Sequence, residues 1–327
     1  MNSQPSRNLA LELARVTEAA ALTAGRLMGR GDGIAIDAAA VDAMRHMMNS
    51  IQMSGVVVIG EGEKDEAPML HRGEHVGNGE SPEVDVAVDP VDGTRNLAKG
   101  RLESISAVAL APRDTMFNPG PIVYMNKIAV GPACRGAVDL HAPVAENLAR
   151  IARAKHMDVR DLTAVILDRP RHEQLIDDVR SAGARIRLIP ACDVTAALMT
   201  AYEDSGIDVL LGIGGSPEGV LAACALRAMG GEFQGQLMPR NEEERQWAVE
   251  FDIDVTRILR MDDLVASDDV FFAATGISDG ELLNGVEYRR DSARTDSLVV
   301  RGTTGTVRRI RAIHRLDKIR RLAGIDV

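Results

Sequence analysis

Asp89-Pro90-Val91-Asp92-Gly93-Thr94 places two carboxylates and a hydroxyl in one short stretch. Carboxylates this close repel unless a positive charge lies between them. A hard divalent cation, taking oxygen ligands, fills that role. An ordinary Asp-rich turn without metal accounts for the hexapeptide equally well, since Asp, Pro and Gly are common turn residues. Further acid stands at Asp37, after the glycine-rich Gly29-Arg30-Gly31-Asp32-Gly33, at Glu61 within Gly60-Glu61-Gly62-Glu63-Lys64-Asp65-Glu66, and at Glu218 within Gly212-Ile213-Gly214-Gly215-Ser216-Pro217-Glu218-Gly219. One such loop means little. Together they suit a polynuclear Mg²⁺ or Mn²⁺ site, the kind that serves phosphoryl transfer by positioning and charge neutralisation. Arg169 and Arg171 add a forked cationic pair suited to a second phosphate. Surface pairing with neighbouring acids is the other use open to them.

The elements that must position these groups can be read from apolar periodicity. Val84 to Val88 alternates with a period of two and predicts a strand, which Pro90 should end and Gly93 should turn. Val56 to Ile59 predicts a buried strand delivering Glu61. Residues 8 to 29 predict a helix ended by Gly29, and a second helix follows Asp37, which is either its N-cap or a carboxylate aimed into a site. Strands are expected at 105–111 and 127–130, then at 163–167, 184–189 and 207–211, each of the last three followed by a helix. That order predicts parallel strands with the ligand at their carboxyl ends, where Arg169, Asp193 and Glu218 all fall. Beyond them, 241–250 reads as a charged helix around Trp247, 270–274 as an apolar strand, and 297–301 with 306–314 as paired strands, the second Arg-rich and exposed.

Composition narrows the function classes. The chain has 327 residues, enough for two domains, and 45% hydrophobic residues, enough for a large core. Aromatics make up 3%, so Ala, Val, Leu, Ile and Met must fill that core, and base stacking on nucleic acid is disfavoured. The net charge of -10 disfavours a polyanion-binding surface but not a small anionic substrate held by metal and local cations. Cys134, Cys192 and Cys224 are widely spaced and form no disulfide framework, which fits a reducing cytoplasm. No apolar run is long enough to span a bilayer, and Met1 to Asn8 lacks the apolar core of a signal peptide.

Gly60 to Leu70, Asp89 to Thr94, Tyr124-Met125-Asn126-Lys127, Arg169-Pro170-Arg171-His172 and Gly212 to Gly219 together resemble the class II fructose-1,6-bisphosphatases, from about residue 8 to 315. The Asp-Pro-x-Asp-Gly-Thr element is shared with the wider lithium-sensitive, metal-dependent sugar phosphatases. The resemblance implies an α/β fold layered α/β/α/β/α with two sheet-containing subdomains. With the pattern interrupted at Gly131-Pro132 and Gly136, it divides the chain into an N-terminal metal-binding subdomain, 1–140, and a C-terminal substrate-binding subdomain, 141–327. It implies hydrolysis of the 1-phosphate of a sugar bisphosphate, by default fructose 1,6-bisphosphate in gluconeogenesis, by a cytoplasmic homo-oligomer, dimer or tetramer. By the same resemblance Asp37 and Glu61 hold one cation, Asp89, Asp92 and Glu218 hold or adjoin a second, and Thr94 helps orient the attacking water. Tyr124, Arg169, Pro170 and Arg171 grip the remote phosphate, and Asp92, Gly93, Thr94, Asp193 and Gly215 line the substrate. His71, His172 and the cysteines are left with structural or surface roles.

Departures from the family pattern cluster near the sugar. Gly33 stands where the family has lysine, His71 where it has tyrosine, and Ala191-Cys192-Asp193 where it has Asp-Gly-Asp. The metal ligands are retained, so the reaction type is kept while the choice of sugar is opened. Another sugar bisphosphate, such as a heptulose, is therefore the alternative substrate. A non-catalytic regulatory paralogue is the alternative from another class, against which the retained acids count.

Overall fold

A computed structural model describes residues 9–61 and 70–323 of the chain. Gly62 to Met69, the end of the acidic motif, and the first eight residues lie outside the described residues. The chain begins with helices α1 (Ala10–Ala24) and α2 (Gly33–Met48), then strands β1 (Ser54–Ile59), β2 (His75–Val76) and β3 (Glu83–Asp92). Next come α3 (Thr94–Ala98), β4 (Ile105–Pro112), β5 (Tyr124–Val130), α4 (Val144–Lys155), β6 (Thr163–Leu167), α5 (Glu173–Ser181), β7 (Arg185–Ile189), α6 (Asp193–Met199), β8 (Val209–Gly215), α7 (Ser216–Met229) and β9 (Glu232–Leu237). The chain closes with α8 (Glu242–Glu250), α9 (Met261–Leu264), β10 (Phe271–Gly276), β11 (Glu287–Tyr288), β12 (Ser292–Arg301), β13 (Thr306–Arg315) and α10 (Leu316–Ala323).

The strands form two sheets, one in the order β11-β12-β10-β4-β3-β1-β2 with β13 outside β12, the other β7-β6-β8-β5-β9. Strand periodicity explains how they stack. In the first sheet Val84, Val86, Val88, Val108 and Leu110 point to the face covered by α1 and α2, while Ala87, Ala107, Ala109 and Ala111 point to the other. That alanine face admits α7, a helix buried nearly all round at Val220, Leu221, Ala222, Ala223, Cys224, Ala225 and Leu226. The second sheet presents Met125, Ala129, Val165 and Leu210 to the same helical layer. Its opposite face, with Ile128, Val130, Ala164, Ile166, Val209 and Leu211, packs against α4 and α5 through Leu148, Ile151, Ile176 and Val179. Helices, sheet, helices, sheet and helices thus stack in the five layers expected. Met44, Met48, Met53 and Met125 are all fully buried, in keeping with the shortage of aromatics.

Several expectations are corrected. Strand β3 does not end at Pro90. It runs on to Asp92 with its register against β4 shifting between Asp89 and Asp92, so Pro90 sits in an irregularity of the ladder, where a missing donor is tolerated. Asp37 is not an N-cap. Asp32 caps α2, its carboxylate accepting from the Ala35 amide at 2.9 Å, and Asp37 lies inside the helix. The parallel strands expected at 163–167, 184–189 and 207–211 are found, β6 running parallel to β7 and β8, while β5 and β9 extend the same sheet antiparallel. A cut at residue 140 separates neither sheet from the other. β5, before it, belongs to the second sheet, and β10 to β13, far beyond it, complete the first.

Candidate functional site

Parallel strands of both sheets aim their carboxyl ends at one pocket. β1 and β3 are parallel in the first sheet and lead to Glu61 and to Asp89, Asp92 and Thr94. β6, β7 and β8 lead to Arg169 and Arg171, to Ala191, Cys192 and Asp193, and to Gly215 and Glu218. These residues, with Gly93 and Tyr124, line a cavity of about 480 Å³. Pro170 does not line it. It is exposed and opens the short 3-10 turn after β6.

The acids reach the pocket by different local devices. After β3, Gly93 adopts φ 94°, a left-handed conformation that glycine takes freely, and α3 starts at Thr94. The Thr94 hydroxyl donates to Asp37 Oδ1 at 2.7 Å, tying α2 to that turn. Glu218 is not in a loop. It lies in the first turn of α7, after Pro217, where proline is tolerated and the helix dipole favours a negative charge. Asp193 likewise sits in the first turn of α6.

Among the described residues, the carboxylates lining the acid end of this pocket crowd one another. Burial, then the carboxylates of Asp37 and Glu218, push the Glu61 carboxyl up to about 7. Burial raises Asp89 well above the usual range, reinforced by Asp92, Glu218, Glu61 and Asp193. Asp92 is raised by burial and by Asp193 and Glu218, against the opposing pull of Lys127 and the Val194 amide. Glu218 is raised by burial and Asp193, again opposed by Lys127. Burial also raises Asp37, offset by the Thr94 hydrogen bond. Asp92 Oδ2 and Glu218 Oε2 are buried without a hydrogen-bond partner among the described residues. Such oxygens are costly unless something positive meets them. Among the described residues no three His, Cys, Asp or Glu side chains are already drawn into a closed ligand set. Acids that repel one another have no reason to converge without a cation between them. The donors are hard oxygens, two of them lack partners and the surplus of charge is negative, so the set fits a divalent cation of the Mg²⁺ or Mn²⁺ type.

Across the pocket the character reverses. Arg171 lies 4.9 Å over the Tyr124 ring, and its Nε and one terminal nitrogen donate to the Ile213 carbonyl at 3.1 and 2.7 Å. Arg169 donates to the carbonyls of Asp168 and Pro190 at 2.8 and 2.6 Å. Among the described residues neither arginine pairs with an acid there, so their charge is available to an anion. Arg240 adds a third cation 5.7 Å from the Tyr124 ring, held by Glu244. His172 is structural, as expected. Its Nδ1–H donates to the Leu167 carbonyl at 2.7 Å and its Nε2 accepts from the Ile213 amide at 2.8 Å, which holds the arginine loop against β8. His71 places Nδ1 2.9 Å from the carbonyl of its neighbour Arg72.

Two residues add to the sequence reading. Cys192 belongs to the Ala191-Cys192-Asp193 departure from the family pattern near the sugar. Its thiol turns under Gly93, toward the carbonyls of Asp92 and Glu103, and is buried. Lys127 carried no role in the sequence reading, yet it lies buried beside the acid cluster and donates to Asp193 Oδ2 at 2.7 Å. The available signal was a lysine leading directly into the apolar run Ile128-Ala129-Val130 of one strand, since a lysine is almost never fully buried without a partner.

Comparison with known proteins agrees with this geometry. The family described as "Bacterial fructose-1,6-bisphosphatase, glpX-encoded" matches residues 7–314. Fructose-1,6-bisphosphatase 1 class 2 of Escherichia coli (strain K12) is 43% identical over 325 residues, covering 95% of this chain and 96% of that protein. Fructose-1,6-bisphosphatase class 2 of Shigella flexneri gives the same figures. A solved structure, an extragenic suppressor from Pyrococcus furiosus, matches with a TM-score of 0.30 and 13% identity over 56% of this chain and 66% of that one, too remote to add to the argument.

Proposed function

The chain belongs to the bacterial class 2 fructose-1,6-bisphosphatase family, and from that premise we propose how its residues divide the work. It is a phosphoric monoester hydrolase that converts fructose 1,6-bisphosphate to fructose 6-phosphate. The observation that carries the assignment of roles is the polarity of the pocket: unpaired acid at one end, Tyr124 with Arg169 and Arg171 at the other. A bisphosphate fits that polarity, with one phosphate toward each end.

In this reading Asp37, Glu61, Asp89, Asp92 and Glu218 hold divalent cations, Mg²⁺ or Mn²⁺. Such cations neutralise phosphoryl oxygens and acidify water. Thr94 gives its hydroxyl hydrogen to Asp37, which leaves its oxygen lone pairs to accept from and aim the attacking water. Arg169, Arg171 and Tyr124 fix the phosphate that stays. Asp193 accepts from sugar hydroxyls, and the bare backbone at Gly93 and Gly215 lets the substrate approach. No side chain is needed as a covalent nucleophile.

We divide the chain by sheet rather than at one boundary, with the metal-holding acids mainly on the first sheet and the remote-phosphate grip on the second. Three free, buried cysteines fit a reducing cytoplasm. Among the described residues no helix is long and apolar enough to cross a membrane. The exposed edge strand β13, with Ile313 69% exposed, supports a homo-oligomer, dimer or tetramer. The test of the function is phosphate release from a panel of sugar bisphosphates and monophosphates with each metal. Release confined to bisphosphates and dependent on divalent cation is expected. Equal rates on monophosphates, or turnover in chelator, would overturn the division of roles.

A further inference from the structure

Lys127 occupies an unusual place. By strand alternation it shares a face of β5 with Met125 and Ala129, both buried in the helical layer between the sheets. Its side chain is 2% exposed and that of its partner Asp193 is 8% exposed. The space around the pair is left by a glycine. A Cβ at Gly214 would come within 2.0 Å of Asp193 Oδ2 and 2.9 Å of Lys127 Nζ, so glycine at this position is what leaves room for the pair. β8 thus passes close against this ion pair. The bond also joins two separate elements, the middle of β5 and the first turn of α6, which carries Asp193 into the pocket.

We infer that Lys127 is a positioning residue for sugar recognition, holding one oxygen of Asp193 so that the other faces the substrate. The inference rests on the reading of Asp193 as a sugar ligand. Buried ion pairs of this kind contribute little net stability, so specificity is the better reason for keeping one. Without the lysine, Asp193 would be a buried carboxylate free to rotate or to take up a proton. With it, the carboxylate is anchored from behind by an ammonium that the substrate never meets. Lys127 also sets a fixed positive charge beside Asp92 and Glu218, which limits how strongly Asp193 repels them.

The test is a double-mutant cycle read in KM and kcat for fructose 1,6-bisphosphate with saturating Mg²⁺. Lys127→Met and Asp193→Asn should each raise KM by about tenfold or more, the worth of a charge-assisted hydrogen bond, with a smaller effect on kcat. Lys127→Met combined with Asp193→Asn should raise KM no further than Asp193→Asn alone. That variant carries no unpaired buried charge, so it decides the matter even where Lys127→Met alone fails to fold. Additive losses in KM would overturn the inference while leaving Asp193 a sugar ligand. An unchanged KM in Asp193→Asn would instead remove Asp193 from the sugar site, and the inference with it.

Discussion

Thr94 and Asp37 come from different elements, yet the hydroxyl of one meets the carboxylate of the other at 2.7 Å. The bond fixes the tip of the Asp-Pro-Val-Asp-Gly-Thr turn to helix α2. It also commits the single hydroxyl hydrogen, so that a water near Thr94 finds an acceptor. Thr94→Ser keeps both features and should retain most activity. Thr94→Val keeps the shape and loses both, and should lower kcat about a hundredfold, the low end for a group assisting proton movement. Equal activity in the two variants would show that the hydroxyl takes no part.

The acid cluster makes metal affinity and stability depend on pH in a definite direction. Glu61 holds its proton up to about pH 7 in the folded chain, against an ordinary 4.5 for a free glutamate. A raised folded value means that its contribution to stability is fully present below 4.5 and is lost as pH rises through about 7. Asp89, Asp92 and Glu218 shift in the same direction. A divalent cation displaces these protons and removes the loss. The stabilisation by added Mg²⁺, measured as a rise in Tm, should therefore grow as pH rises through about 7, where the Glu61 carboxyl gives up its proton. Calorimetry in two buffers should show protons released on binding. Asp89→Asn should raise the metal-free Tm while nearly abolishing turnover. A metal effect that does not vary with pH would count against these residues as ligands.

Strand ends, glycine turns and acidic residues were legible because each has a local cause: period two, a conformation only glycine takes easily, and charge at the end of an apolar run. The pairing of β12 with β13 and the parallel run of β6, β7 and β8 were legible too, but the more distant strand partners were not. β5 pairs with β9, and β10 pairs back to β4 in the first sheet, through contacts more than a hundred residues apart in sequence. Lys127 was passed over for the same reason, because its counter-charge, Asp193, arrives from another element. Pro90 misled because a proline in a strand usually ends it, whereas here the ladder shifts register around it.

Arg171 gives the remote-phosphate reading its own check. Its guanidinium is stacked over Tyr124 and anchored on the Ile213 carbonyl, which leaves a terminal nitrogen toward the pocket. Arg171→Ala should lower kcat/KM for fructose 1,6-bisphosphate by about 10- to 150-fold, the range for a charge-assisted hydrogen bond. The loss on fructose 1-phosphate should be much smaller. Matching losses on both substrates would mean that Arg171 supports the fold of the loop rather than reading a phosphate.

Away from the pocket, Glu18 on α1 is buried beneath β12 and β13. Its carboxylate accepts from Thr295 at 3.3 Å and lies 4.0 Å from His314 Nε2. Burial pushes its carboxyl up to about 7, against the opposing Thr295 hydrogen bond and Arg15, and burial lowers His314. The stability Glu18 contributes is present below 4.5 and lost as pH rises through about 7. Glu18→Gln keeps the acceptor and removes the charge. It should stabilise the protein at pH 8 by on the order of 2 kcal/mol and by little at pH 5. Denaturant midpoints at the two pH values measure it, and a gain of equal size at both would refute the account.

The choice of sugar turns on Ala191 more than on Cys192. The Cys192 backbone is left-handed at φ 70°, a conformation that favours glycine, and a Cβ on Gly93 would lie 2.5 Å from its sulfur. Cys192 therefore fills space beneath the turn, and its thiol reaches backbone carbonyls rather than the substrate. Cys192→Gly should relieve the backbone and leave a small void, two effects that oppose each other, with little change in the preference for any sugar. Ala191 lines the pocket next to Asp193 and offers no acceptor. Ala191→Asp would add one, and should raise kcat/KM for fructose 1,6-bisphosphate by about tenfold, the worth of roughly one hydrogen bond. Kinetics on that substrate and on sedoheptulose 1,7-bisphosphate, with the two substitutions made separately and together, assign the effect. If Cys192→Gly alone shifts the preference, the thiol matters to the sugar after all. If Ala191→Asp lowers the rate on fructose 1,6-bisphosphate, the existing loop already suits that sugar, and the departure from the family pattern is neutral with respect to substrate.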